Sequence, residues 1–222
     1  MKAIAFENLT IGYQLGKRKE QVVASELSAV LETGQLTCLL GRNGVGKSTL
    51  LRTLMKGTER KNISVVLTDK VDVENITVEE LVGLGRTPHT GFWGVLRAED
   101  KEAVSEAMRL IGIDGLEGKM IQTLSDGERQ KAMISKALEQ QTPIILLDEP
   151  TAFLDHPSRR EIMRLLCQLA HEQERAILLS THDVELALQY ADAIWFMDDG
   201  RLLTGPVHEM RNSKELKSYL SD

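Results

Sequence analysis

The most informative segment of the chain is the glycine-rich sequence GRNGVGKS at positions 41–48. It follows an apolar segment, residues 36–40, and opens a segment of helical character, residues 47–56. Glycines let a backbone wrap closely around an anion, and the N–H groups at a helix N-terminus attract phosphate. The lysine of such a loop reaches the terminal phosphates, and the serine hydroxyl binds Mg²⁺. The sequence therefore predicts a nucleoside-triphosphate site whose contacting residues are Gly41, Arg42, Asn43, Gly44, Val45, Gly46, Lys47, Ser48 and Thr49.

A second motif lies far downstream, where the apolar run IILL at 144–147 ends in Asp148 and Glu149. A buried parallel strand delivers such side chains to its C-terminal end, the edge at which α/β sheets bind ligands. Asp148 is expected to hold Mg²⁺, and Glu149 to orient or deprotonate the attacking water. An acidic pair after a strand is also a common helix cap. The phosphate loop upstream favours the catalytic interpretation.

The rest of the chain alternates apolar segments with helical patterns. Residues 63–67, 144–147, 176–179 and 193–197 are typical of buried strands, and the stripe Ala103, Ala107, Met108 and Ile111 is typical of a helix. Such alternation favours a parallel sheet with helices on both faces. We expect one α/β domain, residues 1–222. Its core would be residues 1–70 and 141–222, and residues 71–140 would form an inserted helical lobe.

Composition narrows the class of protein. Of the 222 residues, 42% are hydrophobic and 27% are charged, which is ordinary globular usage. The net charge of −6 disfavours a nucleic-acid partner. The longest apolar run, residues 193–197, is far shorter than the about 20 residues of a membrane span, and Glu7 interrupts any signal-peptide core. We expect a cytoplasmic protein with Cys38 and Cys167 as reduced thiols.

Three more features carry information about function. LSDGE at 124–128 precedes the acidic strand, AFLD at 152–155 follows it, and His182 stands just past the segment 176–179. Taken singly, they are typical of a capping box, a helix cap and a surface histidine. The pair Ser125 and Glu128 predicts a helix that runs from this point to about Glu139.

Together and in this order, the five motifs resemble those of the ATP-binding-cassette (ABC) ATPases, over nearly the whole chain. The resemblance implies the P-loop NTPase fold of that family. This fold has a RecA-like core, an N-terminal antiparallel β part and an inserted helical lobe. The resemblance also implies ATP hydrolysis with Mg²⁺, performed by a homodimer that closes head to tail when ATP binds.

The resemblance further implies roles for individual residues. His182 would contact the γ-phosphate and act with the catalytic residues Glu149 and Lys47. Asp155 would lie in the loop that crosses the dimer seam, and Tyr13 looks like the aromatic residue that stacks on adenine. A tyrosine on the sheet surface is the alternative for Tyr13. The signature motif, which meets the γ-phosphate bound by a second copy, would be Ser125, Asp126, Gly127 and Glu128. A helix N-terminus with a free serine hydroxyl suits such an anion.

Several positions depart from the family pattern. The signature is usually Leu-Ser-Gly-Gly-Gln, and here Asp126 and Glu128 replace a glycine and the glutamine. Asp126 adds negative charge near the anion site, which weakens the closed dimer unless the side chain points away. The glutamine expected after residues 63–67 is missing, and Asp69 stands close to its place. We expect Asp69 to take over its metal contact, beside Ser48 and Asp148.

The segment NITVEELVGLGRTPH at 75–89 resembles the lobe of ATPases that drive importers of iron–siderophore, haem and cobalamin chelates. Such ATPases dock beneath two polytopic permease subunits at the cytoplasmic face of the inner (plasma) membrane. An extracytoplasmic binding protein delivers the chelate. Three alternatives stay open at this point: a soluble ABC ATPase such as an iron–sulfur assembly ATPase, an importer ATPase for another substrate, and a P-loop kinase that would not need a signature motif.

Overall fold

The computed structural model describes residues 1–15, 19–67, 75–91 and 94–221. The chain begins with two long strands, β1 (Lys2–Leu15) and β2 (Lys19–Glu32), which pair as an antiparallel hairpin. Shifts in the strand register interrupt the pairing at four places. One side of the hairpin is buried, through residues such as Ile11 and Leu27.

A six-stranded sheet forms the centre of the molecule. Its strands lie in the order β4-β5-β6-β3-β7-β8, and all are parallel except the last, which pairs antiparallel with β7. This order brings the C-terminal ends of β3, β5 and β6 to one edge, where the predicted motifs follow them. The strands are β3 (Gln35–Leu40), β4 (Ile63–Val66), β5 (Ile144–Leu147), β6 (Ala176–Ser180), β7 (Ala193–Asp198) and β8 (Arg201–Pro206). The α/β fold is confirmed.

A hydrophobic core lies on each face of this sheet. Successive residues of a strand point to opposite sides, so one strand contributes to both cores. Leu36, Cys38 and Leu40 enter a core shared with α5 (His156–Glu172). Leu39 enters a second core, with α1 (Lys47–Gly57) and the hairpin. Burial on both faces explains why β5 and residues 176–179 of β6 are apolar throughout rather than alternating.

The region between β4 and β5 is helical. Helices α2 (Val78–Gly83) and α3 (Ala98–Ile111) both pack against α4 (Asp126–Glu139), and short 3₁₀ turns lie at Leu84–His89, Asp114–Leu116 and Ile121–Thr123. The predicted helix after Ser125 is confirmed, with its capping box. The stripe on α3 differs from the prediction in one place, because Val104 is buried and Ala103 only half-buried. The larger side chain fills the space between α3 and its neighbours.

The segment at 84–89 is fixed to α4 by close contact and by charge. A Cβ atom on Gly85 would lie 2.3 Å from the carbonyl oxygen of Lys136, so no side chain fits there. The Arg86 guanidinium lies 3.0 Å from Asp100 and 3.7 Å from Glu139. Burial raises the pKa of the Glu139 carboxyl, and the Arg86 cation opposes that shift.

Helix α6 (Val184–Tyr190) precedes β7, and two further helices follow β8: α7 (Val207–Met210) and α8 (Lys214–Ser221). A short 3₁₀ turn, Arg60–Asn62, precedes β4. Among the residues that the structure describes, no helix combines the length and the apolar character needed to cross a membrane.

Candidate active site

The loop between β3 and α1 is shaped by three glycines in the left-handed region, Gly41 (φ 149°), Gly44 (φ 82°) and Gly46 (φ 116°). These angles suit glycine because L side chains rarely adopt them. A Cβ atom on Gly41 would also lie 2.3 Å from the carbonyl oxygen of Met197 on β7. The loop therefore lies directly against the sheet edge, and its backbone opens α1 at Lys47.

Lys47 is buried inside this loop. Its Nζ donates to the carbonyl oxygens of Gly41 (2.8 Å) and Arg42 (3.2 Å) and lies 3.7 Å from Glu149 Oε1. Burial lowers the pKa of the Lys47 ammonium, and the carboxylates of Glu149 and Asp148 oppose that shift. A cation held at this point is available to the terminal phosphates of a nucleotide in the loop.

Asp148 and Ser48 meet at the sheet edge. Ser48 Oγ donates to Asp148 Oδ1 over 3.1 Å, and the Asp148 N–H donates to the carbonyl oxygen of Val66 over 2.9 Å. A hydroxyl and a carboxylate are oxygen ligands that fit Mg²⁺, which usually takes few protein ligands and completes its shell with phosphate and water. In the described ranges, no group of three or more histidine, cysteine, aspartate or glutamate side chains is arranged to hold a metal ion.

Glu149 lies between Lys47 and His182. Its Oε2 is 2.9 Å from His182 Nδ1, and the histidine is half exposed. Glu149 has a φ of 48°, a left-handed conformation that is uncommon for a non-glycine residue. Glu149 thus brings together the two other residues that the sequence motifs single out, since Lys47 and His182 each lie against its carboxylate.

Ser180 is a residue of this site that the sequence analysis missed. Its Oγ donates to Asp148 Oδ1 (2.6 Å) and accepts from the Glu149 N–H (2.9 Å). The available signal was a single polar residue at the end of the apolar run AILL at 176–179.

The signature segment differs from the expectation in one respect: the Ser125 hydroxyl is not free. It donates to Glu128 Oε2 (2.8 Å), and the Ser125 N–H donates to the same oxygen (2.9 Å). These bonds lower the pKa of the Glu128 carboxyl. This capping interaction would compete with a phosphate for the Ser125 hydroxyl, at which an anion site is predicted. Asp126 lies 3.6 Å from Arg129, which partly offsets its charge.

Asp155 and the signature segment share one surface. Asp155 caps α5 by accepting the Ser158 N–H (2.9 Å), and hydrogen bonds from the Ser158 hydroxyl and N–H lower the pKa of its carboxyl. A Cβ atom on Gly127 would lie 3.4 Å from Ser158 Oγ, so α4 and α5 begin side by side. Lys131 on α4 and Glu161 on α5 join the two helices further along (2.7 Å).

Tyr13 lies on β1 of the hairpin, opposite Gln21 of β2. The hairpin touches the phosphate loop, since a Cβ atom on Gly46 would lie 2.7 Å from Val23 Cγ1 and 3.6 Å from Ile11 Cδ1. Tyr13 lies on β1 two residues beyond Ile11, and its side chain is 46% exposed. That position suits both a base-stacking and a surface role. Asp69 lies outside the described residues.

The loop, the helix N-terminus and the acidic strand end together define a P-loop nucleotide-binding domain. A sequence profile described as ABC transporter matches residues 24–152. The chain belongs to the ABC transporter family of ATP-binding, ATP-hydrolysing proteins.

Similarity to individual proteins covers more of the chain than the profile match does. The ferric enterobactin transport ATP-binding protein of Escherichia coli is 35% identical over 89% of this chain and 79% of its own length. An uncharacterized ABC transporter ATP-binding protein of Methanocaldococcus jannaschii is 34% identical over 97% of this chain and 80% of its own. A solved ABC transporter in an inward-facing conformation, assigned to the metal-chelate type, has a TM-score of 0.87 and 26% identity. The match covers 98% of this chain and 88% of that one.

Proposed function

We propose that this chain is the ATP-hydrolysing subunit of an importer for metal chelates such as iron–siderophore, haem or cobalamin complexes. The observation that carries the enzymatic part is the meeting of Lys47, Ser48, Asp148, Glu149 and His182 at one sheet edge. The substrate class is supported by the relative named for ferric enterobactin transport and by the likeness to the metal-chelate transporter.

Within this proposal, each group at the sheet edge has one task. The loop N–H groups and Lys47 bind the phosphates of ATP, and Ser48 and Asp148 hold Mg²⁺. Glu149 orients the attacking water and accepts its proton, while His182 holds the Glu149 carboxylate. Mg²⁺, when bound, neutralises charge on the phosphates. Tyr13 stacks on the adenine, and Asp69 contributes a further metal contact.

The proposal includes an ATP-driven homodimer. Ser125, Gly127 and Asp155, which lie where α4 and α5 begin, would face the nucleotide bound by a second copy. The Ser125 hydroxyl must then leave or share the Glu128 carboxylate. ATP would favour the closed arrangement, because only in that arrangement does each ATP molecule contact both copies of the protein. During closure, two parts of each copy would move together: the core, residues 1–70 and 141–222, and the lobe, residues 71–140.

Closure would act on two polytopic permease subunits at the cytoplasmic face of the membrane, to which an extracytoplasmic binding protein delivers the chelate. A cleft of about 530 Å³ in the helical region offers a docking surface, with the half-exposed Leu84 among its lining residues. Apolar side chains at such a rim favour a protein partner.

Affinity purification tests this proposal. The tagged protein is recovered from gently solubilised membranes of its own cell, and its partners are identified by mass spectrometry. A polytopic permease in near-equal amount is expected, and Leu84→Glu should remove it. Leu110→Glu, an equally apolar exposed site on α3, is the control that should retain it. Recovery with cytosolic partners alone, or with none, would contradict the importer role and leave the ATPase chemistry standing.

A further inference from the structure

Ser180 joins the two acidic residues of the site from the neighbouring strand. It is the last residue of β6 and is fully buried. A buried hydroxyl needs hydrogen-bond partners. Here both partners are consecutive residues after β5: the Ser180 hydroxyl donates a hydrogen bond to the Asp148 carboxylate, and the Glu149 N–H donates one to the Ser180 oxygen.

These two bonds restrict the orientation of the Asp148 carboxylate and the backbone conformation of Glu149. Asp148 Oδ1 accepts from Ser180 (2.6 Å) and from Ser48 (3.1 Å), so two hydroxyls hold the same carboxylate oxygen. Glu149 has a left-handed backbone, which persists only where the surroundings over-determine it. A hydrogen bond to the Glu149 N–H supports that conformation directly.

We propose that Ser180 is a positioning residue for ATP hydrolysis. It holds the Asp148 carboxylate at the place of the metal ion, and the Glu149 main chain at the place from which the side chain reaches the water. The inference rests on the proposed roles of Asp148 and Glu149. Ser180 exchanges no proton with substrate and acts only through its two partners.

The substitution Ser180→Ala removes both bonds at once. Residues that orient metal ligands and catalytic groups from outside cost about 10- to 100-fold in metal affinity or activity when they are lost. We expect kcat to fall about tenfold while the KM for ATP changes little, because the phosphate loop is untouched. The Mg²⁺ concentration that half-saturates ATP binding, measured by calorimetry without turnover, should rise several-fold.

The chain offers a matched control. Ser64 is also a buried serine in this sheet, on β4, but its hydroxyl approaches the Ile144 carbonyl oxygen (3.5 Å) rather than the acidic pair. Ser64→Ala should leave kcat and the Mg²⁺ dependence unchanged. Ser180→Thr keeps a hydroxyl and should restore most of the activity lost in Ser180→Ala.

A double-mutant comparison separates this inference from the proposed function. In a Glu149→Gln background, Ser180→Ala should reduce the residual hydrolysis less than in the native background, because the part of its effect that acts through the Glu149 carboxylate is already lost. If Ser180→Ala folds and matches Ser64→Ala in kcat and in Mg²⁺ dependence, the inference is wrong. If it does not fold, Ser180→Cys takes its place, with the same two readouts. If Glu149→Gln alone hydrolyses ATP normally, the proposed role of Glu149 is wrong, and the inference falls with it.

Discussion

The contact between the phosphate loop and β7 predicts a specific cost for adding one methyl group. Gly41→Ala forces a side chain into a φ of 149°, with its Cβ 2.3 Å from the backbone oxygen of Met197, which no side-chain rotation relieves. Backbone strain of this kind costs about 1–3 kcal/mol. Overpacking adds about 1–3 kcal/mol. We expect the free energy of unfolding to fall by about 4 kcal/mol in total, or roughly 8–16 °C in melting temperature for a chain of this size.

Gly44→Ala is the matched control, in the same loop. Gly44 also has a positive φ, 82°, but an added Cβ would have no atom within 4 Å. Only the backbone term of about 1–2 kcal/mol applies to it. Urea unfolding followed by circular dichroism, with and without ATP, measures both variants. Equal stability of Gly41→Ala and Gly44→Ala would refute the close packing of the loop on β7.

Three further predictions concern α4 and the segment packed on it. Ser125→Arg should abolish cooperative ATP hydrolysis, with a Hill coefficient of about one, whereas a P-loop kinase would keep its activity. The Glu128 carboxyl has a lowered pKa, so its capping contribution is complete above the ordinary carboxyl range and is lost as the pH falls through the lowered value. The stability difference between native protein and Glu128→Ala, at most about 1 kcal/mol at pH 7, should therefore shrink in acid, and a constant difference would contradict this. Arg86→Met leaves the buried Glu139 without its cation and should cost about 3 kcal/mol at pH 7. Glu139 already has a raised pKa, so this loss should diminish as the pH is lowered and Glu139 becomes protonated in the folded state.

The strands and the phosphate loop were predictable because local patterns determine them. An apolar run followed by GRNGVGKS is compatible with few conformations other than a strand, a phosphate-binding loop and a helix. The capping pair Ser125 and Glu128 acts within one helical turn. The alternation of strands and helices was sufficient to predict the α/β class. The order of the strands was not, because it depends on crossovers that residue spacing does not record.

The contacts of individual side chains were the part that the sequence could not supply. Ser180 looks like an ordinary strand end until β5 and β6 are placed side by side. The Ser125 hydroxyl was expected to be free for a phosphate, although the pair Ser125 and Glu128 also predicted a capping box. In the structure the nearby carboxylate takes it, because a local partner is always within reach. Asp155 likewise shows its helix-capping contact, while its part in a dimer stays a prediction.

The most direct test of the proposed function is the oligomeric state of Glu149→Gln with ATP. The substitution removes the proposed base but leaves Lys47, Ser48 and the signature segment in place, so ATP should bind and not be hydrolysed. Light scattering should then show two 24.8 kDa chains per particle with ATP and one without it. The native protein should return to the single chain as ATP is consumed. A Glu149→Gln protein that stays monomeric with ATP, or hydrolyses it at the native rate, would show that the proposed function is wrong.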